Sequence, residues 1–379
     1  MKFHNYKKTL IYKEYSLPKI IIRYMEFKLK NFFYFLILKF NKKKSNKPII
    51  NLKNYYDTRF INFLFYSLKD NYNFAYKNNA RVLQFLKKIG IKNFLKHTLP
   101  EDKIKKKSIV YNLYINSEKT KVLKINTNYF NYINNASARK YLVMPYYMYP
   151  EIYNNNYKRY FIFKEKFKFR IFFSGGIYKK VYSRFTWEEN NKELLNRNEV
   201  LDLLLKEFKN EIFLIKNKND LKNNKIFKKK IIFCLYDKML SKKKYSLNFK
   251  ENFELQSNSA FTLNCPGVVM PVCHHLIEGI KVGSIPITPS YDLIYPHLNN
   301  NIALRYNNKQ TLIKSFYRAL EMKRDEVEEK RRQVKSFYTK NLSPEVFRNK
   351  FIQNLELKNR KDILACNDHE SVYKYRKLK

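Results

Sequence analysis

The sequence predicts an α/β fold, and three observations carry the prediction. Short runs rich in Ile, Phe and Val are bounded by Gly, Pro and Asn, as buried strands are. Between them lie segments with apolar residues at three-to-four spacing, the period of an amphipathic helix. Five of the six glycines fall between residues 175 and 283, among the predicted strand ends. Strands alternating with helices build parallel sheets, and ligands bind in the loops at the carboxyl edge of such sheets.

Near the start, residues 32–38 form an apolar run closed by Lys39. The run is far shorter than the ~20 residues of a spanning helix, and no small-residue cleavage site follows it. Residues 19–44 therefore read as a buried strand or helix with solvated lysines, with a place in a membrane interface as the alternative. Residues 41–47 are polar and basic and read as loop. Helices are predicted over 57–68 and 81–97, the second divided by Gly90. From Ser108 the text turns to β-prone pieces, SIVYNLYI, KVLKI and KYLVMPYYMYP, which complete an N-terminal α/β domain over 1–165.

A second domain is predicted over 166–342. Residues 167–173 (FKFRIFF) read as a buried strand that runs into a loop, Ser174-Gly175-Gly176. After an insertion holding Trp187, a helix is predicted over 198–208 with Asn198 as its N-cap. Strands follow at 228–236 and at 261–263. A single charged helix is predicted over 309–338. The last part, 343–379, holds one more helix over 344–355 and then a polar end.

Charge and motifs narrow the chemistry. The chain of 379 residues carries 77 Lys and Arg against 32 Asp and Glu, a formal charge of +45. Such a surface attracts polyanions: nucleic acid, an anionic membrane leaflet or phosphorylated small molecules. An AT-rich coding bias also over-uses Lys, Asn, Ile, Tyr and Phe together, so the charge permits partners without naming one. The four cysteines lack a C-x-x-C pair, which points to a reduced, cytoplasmic setting, and the basic charge adds an expected peripheral contact with an anionic membrane. Neither G-x-S-x-G nor a G-x-x-x-x-G-K-[ST] loop is present, which disfavours a serine hydrolase and a P-loop nucleotide hydrolase.

The densest cluster of unusual residues is FTLNCPGVVMPVCHHLIEGIKVGSIPI, residues 261–287, with three glycines and three prolines. It reads as strand end, loop, helix over 273–282, left-handed stop at Gly283 and next strand. Glu278, one turn into that helix, is placed to accept ribose hydroxyls while the helix amino end receives a diphosphate. Cys265, Cys273, His274 and His275 have the wrong spacing for a compact zinc finger, so no metal is expected. No Asp-x-Asp exists to carry a bridging cation, so helix dipole and basic side chains are expected to neutralise a diphosphate.

This run, together with RIFFSGGIYKKVYSR, NRNEVLDLL and YDLIYPHLNNNIALRYNNKQTLIKSF, resembles the donor-binding half of exostosin-like glycosyltransferases and their bacterial surface-polysaccharide relatives. The resemblance covers about 170–351, with MPYYMYP as an earlier echo. It implies a GT-B fold, two Rossmann-like domains facing a cleft, and transfer of a sugar from a nucleotide-sugar to a glycan or glycolipid acceptor without a cofactor. It further implies that Glu278 meets the ribose and that Gly175 and Gly176 let backbone approach the phosphates. With Gly267, these residues make the expected donor site. Where relatives carry a basic residue three positions before the acid, this chain has His275. His274, Lys179 or Arg184 could supply the charge. The general base is expected from the first domain, among Asp57, His97, Asp102 and Glu151. A non-enzymatic RNA- or DNA-binding protein, with Tyr and Phe stacking on bases, is the alternative.

Overall fold

The computed structural model describes residues 47–53, 59–76, 95–101, 104, 109–115, 123–133, 136–153, 161–178, 182, 185–189, 192–222, 224–236, 245–267, 270–366 and 376–378. The segment 19–44, the predicted helix as far as residue 94, and Asp57, Asp102, Lys179 and Arg184 lie outside these residues. The chain divides into two units, Met1–Asn51 with Asn71–Val110, and Leu52–Asp70 with Tyr111–Lys379. The boundary expected at residue 165 falls inside the second.

In the first unit, β1 (Ile49–Lys53), β2 (Asn73–Tyr76) and β3 (Thr98–Pro100) pair in parallel, β2 in the middle. Ile49, Ala75 and Leu99 form its small buried core. His97, immediately before β3, is also buried.

The second unit opens with α1 (Arg59–Leu68) and continues through β4 (Val110–Ile115), β5 (Leu123–Asn126) and a short β6 (Leu142–Val143). Only these two residues of KYLVMPYYMYP form a strand. After β7 (Phe169–Gly176) an antiparallel pair, β8 (Phe185–Glu189) and β9 (Lys192–Leu194), leads into α2 (Arg197–Glu207). Next come β10 (Ile212–Leu214), β11 (Ile231–Tyr236), α3 (Phe249–Asn258), β12 (Ser259–Leu263), α4 (His274–Lys281), β13 (Ile285–Thr288) and β14 (Leu304–Arg305). The chain then runs through α5 (Lys309–Glu321), α6 (Arg324–Phe337), α7 (Pro344–Glu356), β15 (Ile363–Leu364) and β16 (Arg376–Leu378).

The protein is thus a mixed α/β fold with parallel sheets. The six-stranded sheet has the order β10-β11-β7-β12-β13-β14, and every neighbouring pair is parallel. Without the three-residue edge strand β10, this is the doubly wound order 2-1-3-4-5. Its inner strands are buried along most of their length because helices cover both faces, which explains the unbroken apolar text of FRIFF and IIFC. Phe169, Phe172, Ile232 and Cys234 pack on one face with Ile215, Ile226 and Leu255.

Several expectations are corrected. Asn196, not Asn198, caps α2: its side chain accepts from the Glu199 amide while Glu199 bonds back to the cap amide. Asn198 is instead buried inside the helix. The single helix expected over 309–338 is two, broken at Met322, whose ψ is 132°. The break lets Asp325 and Glu326 occupy the first turn of a new helix, where its dipole favours acids. Residues beyond 356 are not merely polar: β15 lies between β5 and β6 with Ile363 beside Ile125 and Leu142. Nearby, α1 packs on α7, with the Phe63 and Phe347 rings 5.6 Å apart. Gly283 does take the left-handed conformation, at φ +75°, and a Cβ there would lie 2.5 Å from the Phe163 ring.

Arg331, on α6, is fully buried and has no acidic partner in its hydrogen bonds. It donates to the carbonyls of Gly283 at 3.2 Å, Glu165 at 3.0 Å and Ser257 at 2.9 Å. Those carbonyls stand just before β13, β7 and β12. Burial brings its pKa down to about 10 despite Glu328 nearby. We expect Arg331→Met to leave the three carbonyls unsatisfied and to lower unfolding free energy by about 3 kcal/mol in urea. An unchanged midpoint and slope would show that the strand starts do not need this tie.

Candidate functional site

The chain crosses from one side of β7 to the other between β11 and β12, so the switch point lies at the carboxyl ends of β7 and β12. A crevice opens there in doubly wound sheets, because the connections leave in opposite directions. Gly175 and Gly176 are not a loop but the last paired residues of β7, opposite Leu235 and Tyr236. A Cβ at Gly175 would press on the Phe173 ring at 2.7 Å and lie 3.5 Å from the Arg197 guanidinium.

Arg197 was not foreseen as a site residue. It is the first residue of α2, a position where the dipole favours acids rather than bases. This mismatch was its available signal. It is only 6% exposed, and its Nη1 donates to the Gly176 carbonyl at 3.3 Å and to the Tyr182 hydroxyl at 2.7 Å. Nη2 reaches the Cys273 sulfur at 4.0 Å, and Nε is buried without a hydrogen-bond partner. Its plane lies 4.1 Å from the Tyr182 ring centre. Among the described residues no carboxylate pairs with it.

The loop after β12 is fixed by distant segments. Gly267 donates to the Met270 carbonyl at 3.0 Å, and a Cβ there would meet that oxygen at 2.7 Å. Only glycine permits this approach. The Gly267 carbonyl accepts from Trp187 Nε1 at 3.0 Å, so the β8 arm holds the loop from outside. Tyr146 donates its hydroxyl to the Val272 carbonyl at 2.8 Å. The echo segment MPYYMYP is thus a support for this loop.

At the start of α4, Cys273 occupies the N-cap without a side-chain cap bond. Its sulfur lies 3.9 Å from His274 Nδ1. Glu278, expected to meet ribose hydroxyls, is only 2% exposed, and its Oε1 accepts from the Tyr149 amide at 3.3 Å. Its oxygens face His274 Nε2 at 3.8 Å and His275 Nε2 at 3.9 Å. Arg197, Cys273, the two imidazoles and Glu278 therefore follow one another along a short path. Cys273, His274 and His275 also bring donor atoms within 4.8 Å of one another, as a soft-donor cation site requires. Mutual pairing accounts for their positions equally well.

Burial alone would raise the Cys273 thiol, but His274 and His275 beside it bring its pKa well below the usual value. Burial pushes Cys265 and Cys234 up, to about 12 and about 11. Because the thiolate is the reactive form, iodoacetamide should modify Cys273 readily near pH ~7, below the ~8.5 of a free thiol. His274→Ala with His275→Ala should shift that profile upward. A wild-type rate that drops about tenfold per unit below pH ~8.5 would disprove the charge pairing.

Of the expected site residues, Gly175 and Gly176 end β7, Gly267 bends the loop after β12, and His274, His275 and Glu278 begin α4. The structure brings Cys273, His274, His275 and Glu278 together and joins them to Gly176 through Arg197. Glu151 falls in the turn Pro150–Tyr153. The second unit thus holds a doubly wound parallel sheet with a buried arginine at its switch point. Comparison with known protein families and with curated proteins finds no match.

Proposed function

We propose that this protein is a glycosyltransferase that moves a sugar from a nucleotide-sugar donor to a glycan or glycolipid acceptor. The observation that carries the reading is Arg197, a buried guanidinium without a carboxylate, at the switch point of a parallel sheet. Departure of a nucleoside diphosphate builds negative charge, and a fixed buried cation stabilises it without reorganisation. Arg197 Nε adds an unpartnered donor, and the partly exposed His274 neighbours the guanidinium through Cys273. Here Arg197 takes the diphosphate role that sequence assigned to Arg184, Lys179 or His274. Glu278 positions the imidazoles, with ribose recognition left to groups nearer solvent. Donor binding needs no metal, and the GT-B architecture supplies the acceptor-binding lobe and the general base.

No helix among the described residues is long and apolar enough to cross a membrane. The basic surface then serves peripheral contact with an anionic leaflet that bears the acceptor. The nucleic-acid alternative needs exposed aromatic faces. Among the described residues the exposed large aromatics are Tyr149 and Tyr317, while most others are core.

Titration calorimetry with a panel of nucleoside diphosphates and nucleotide-sugars tests the reading. At least one should bind, and Arg197→Lys should weaken it by about tenfold or more through loss of the planar fork. Failure of every panel member, alongside tight binding of single-stranded RNA or DNA, would reverse the assignment.

A further inference from the structure

The opposite, amino edge of the six-stranded sheet carries a second concentration of charge. There a pocket of about 220 Å³ is lined by Lys168, Arg170, Lys228, Lys229, Lys230 and Arg324. Its remaining walls are Phe167, Phe169 and Phe227, and no carboxylate lines it. The convergence follows from topology. Lys168 and Arg170 flank the start of β7, the three lysines precede neighbouring β11, and Arg324 begins α6.

The cations are arranged rather than scattered. Arg170 and Arg324 sit 5.0 and 5.1 Å from the centre of the same Phe167 ring, and Lys168 sits 4.7 Å from that of Phe227. Arg324 uses Nε on Glu328 at 2.9 Å, and Lys229 donates to the Asn210 carbonyl at 3.1 Å. Arg170 Nη1 is buried and has no hydrogen-bond partner. Burial, and then the charge of Arg324, lower the Arg170 pKa, as expected for like charges without an anion between them. Arg331 in the same unit shows the contrast, since three carbonyls satisfy it.

A guanidinium fork beside ammonium groups suits a phosphate with several charged oxygens. The volume is below the ~300 Å³ at which drug-sized ligand pockets begin, so a nucleoside does not fit. Cations already cover the rings a base would stack on. We propose that this pocket binds a compact, multiply charged phosphate group, at a site separate from the carboxyl-edge crevice. The group is either the monoester headgroup of an anionic lipid or a free inorganic phosphate compound.

The test uses inorganic pyrophosphate as probe, by calorimetry, in full-length protein carrying Arg197→Lys so that the crevice contributes little. Pyrophosphate should bind, and adding Arg170→Gln with Arg324→Gln should weaken it by about tenfold or more. The charge-matched pair Lys206→Gln and Lys209→Gln, exposed on and just after α2, should leave it within about twofold. If the arginine pair fails to fold, Lys228→Gln with Lys230→Gln, both exposed, replaces it with the same expectation. No binding, or equal loss in the control pair, overturns the proposal. Sedimentation with vesicles of phosphatidylcholine plus phosphatidate, against phosphatidylglycerol, separates the sources. A pocket-dependent preference for phosphatidate assigns the lipid monoester, and pyrophosphate binding without that preference assigns the free compound.

Discussion

Three neighbouring strands of the six-stranded sheet begin within reach of one side chain, and the alignment of their starts depends on it. Arg331 bonds the carbonyls that precede β7, β12 and β13. The bonds oppose a slide of one strand along the next, and in the observed register Phe261 lies opposite both Ile171 and Ile285. A slip of one residue would turn every side chain to the other face. Gly176 and the loop after Leu263 lie at the far end of these same strands.

Three arginines of this unit illustrate how satisfaction separates roles. Arg331 spends its donors on backbone oxygens and is complete. Arg197 has two neutral oxygens, a distant sulfur and a spare Nε. Arg170 has an unmet Nη1 beside another cation. A buried donor without a partner costs free energy that an arriving anion recovers. Around Arg197, neutral bonds from Trp187 and Tyr146 hold the loop, so ligand charge is not needed to shape the site.

Periodicity made the α/β class and most strands legible, because buried parallel strands leave unbroken apolar runs such as IIFC. Gly283 was legible too, since a left-handed stop after a helix demands glycine. Missed features depend on distance in space rather than on spacing. Nothing local to Arg197 reports that it meets Gly176, 21 residues earlier, or Cys273, 76 residues later. Glu278 was read from its place on the helix, yet its buried carboxylate accepts from the Tyr149 amide, 129 residues before it. Asn198 looked like a cap because two asparagines flank one arginine, and only the reciprocal bond with Glu199 decides for Asn196.

The position of β15 constrains the order in which the second unit can form. Its two residues fill the gap between β5 and β6, and the Asp362 carboxylate accepts from the Lys124 amide across 238 residues. Until that late segment exists, two strands made much earlier have no common neighbour, and their inner edges stay open. Closing so long a loop is slow, and an open edge meanwhile invites pairing with another chain. During synthesis, something must cover that slot until residue 364 leaves the ribosome, or the sheet must wait unformed.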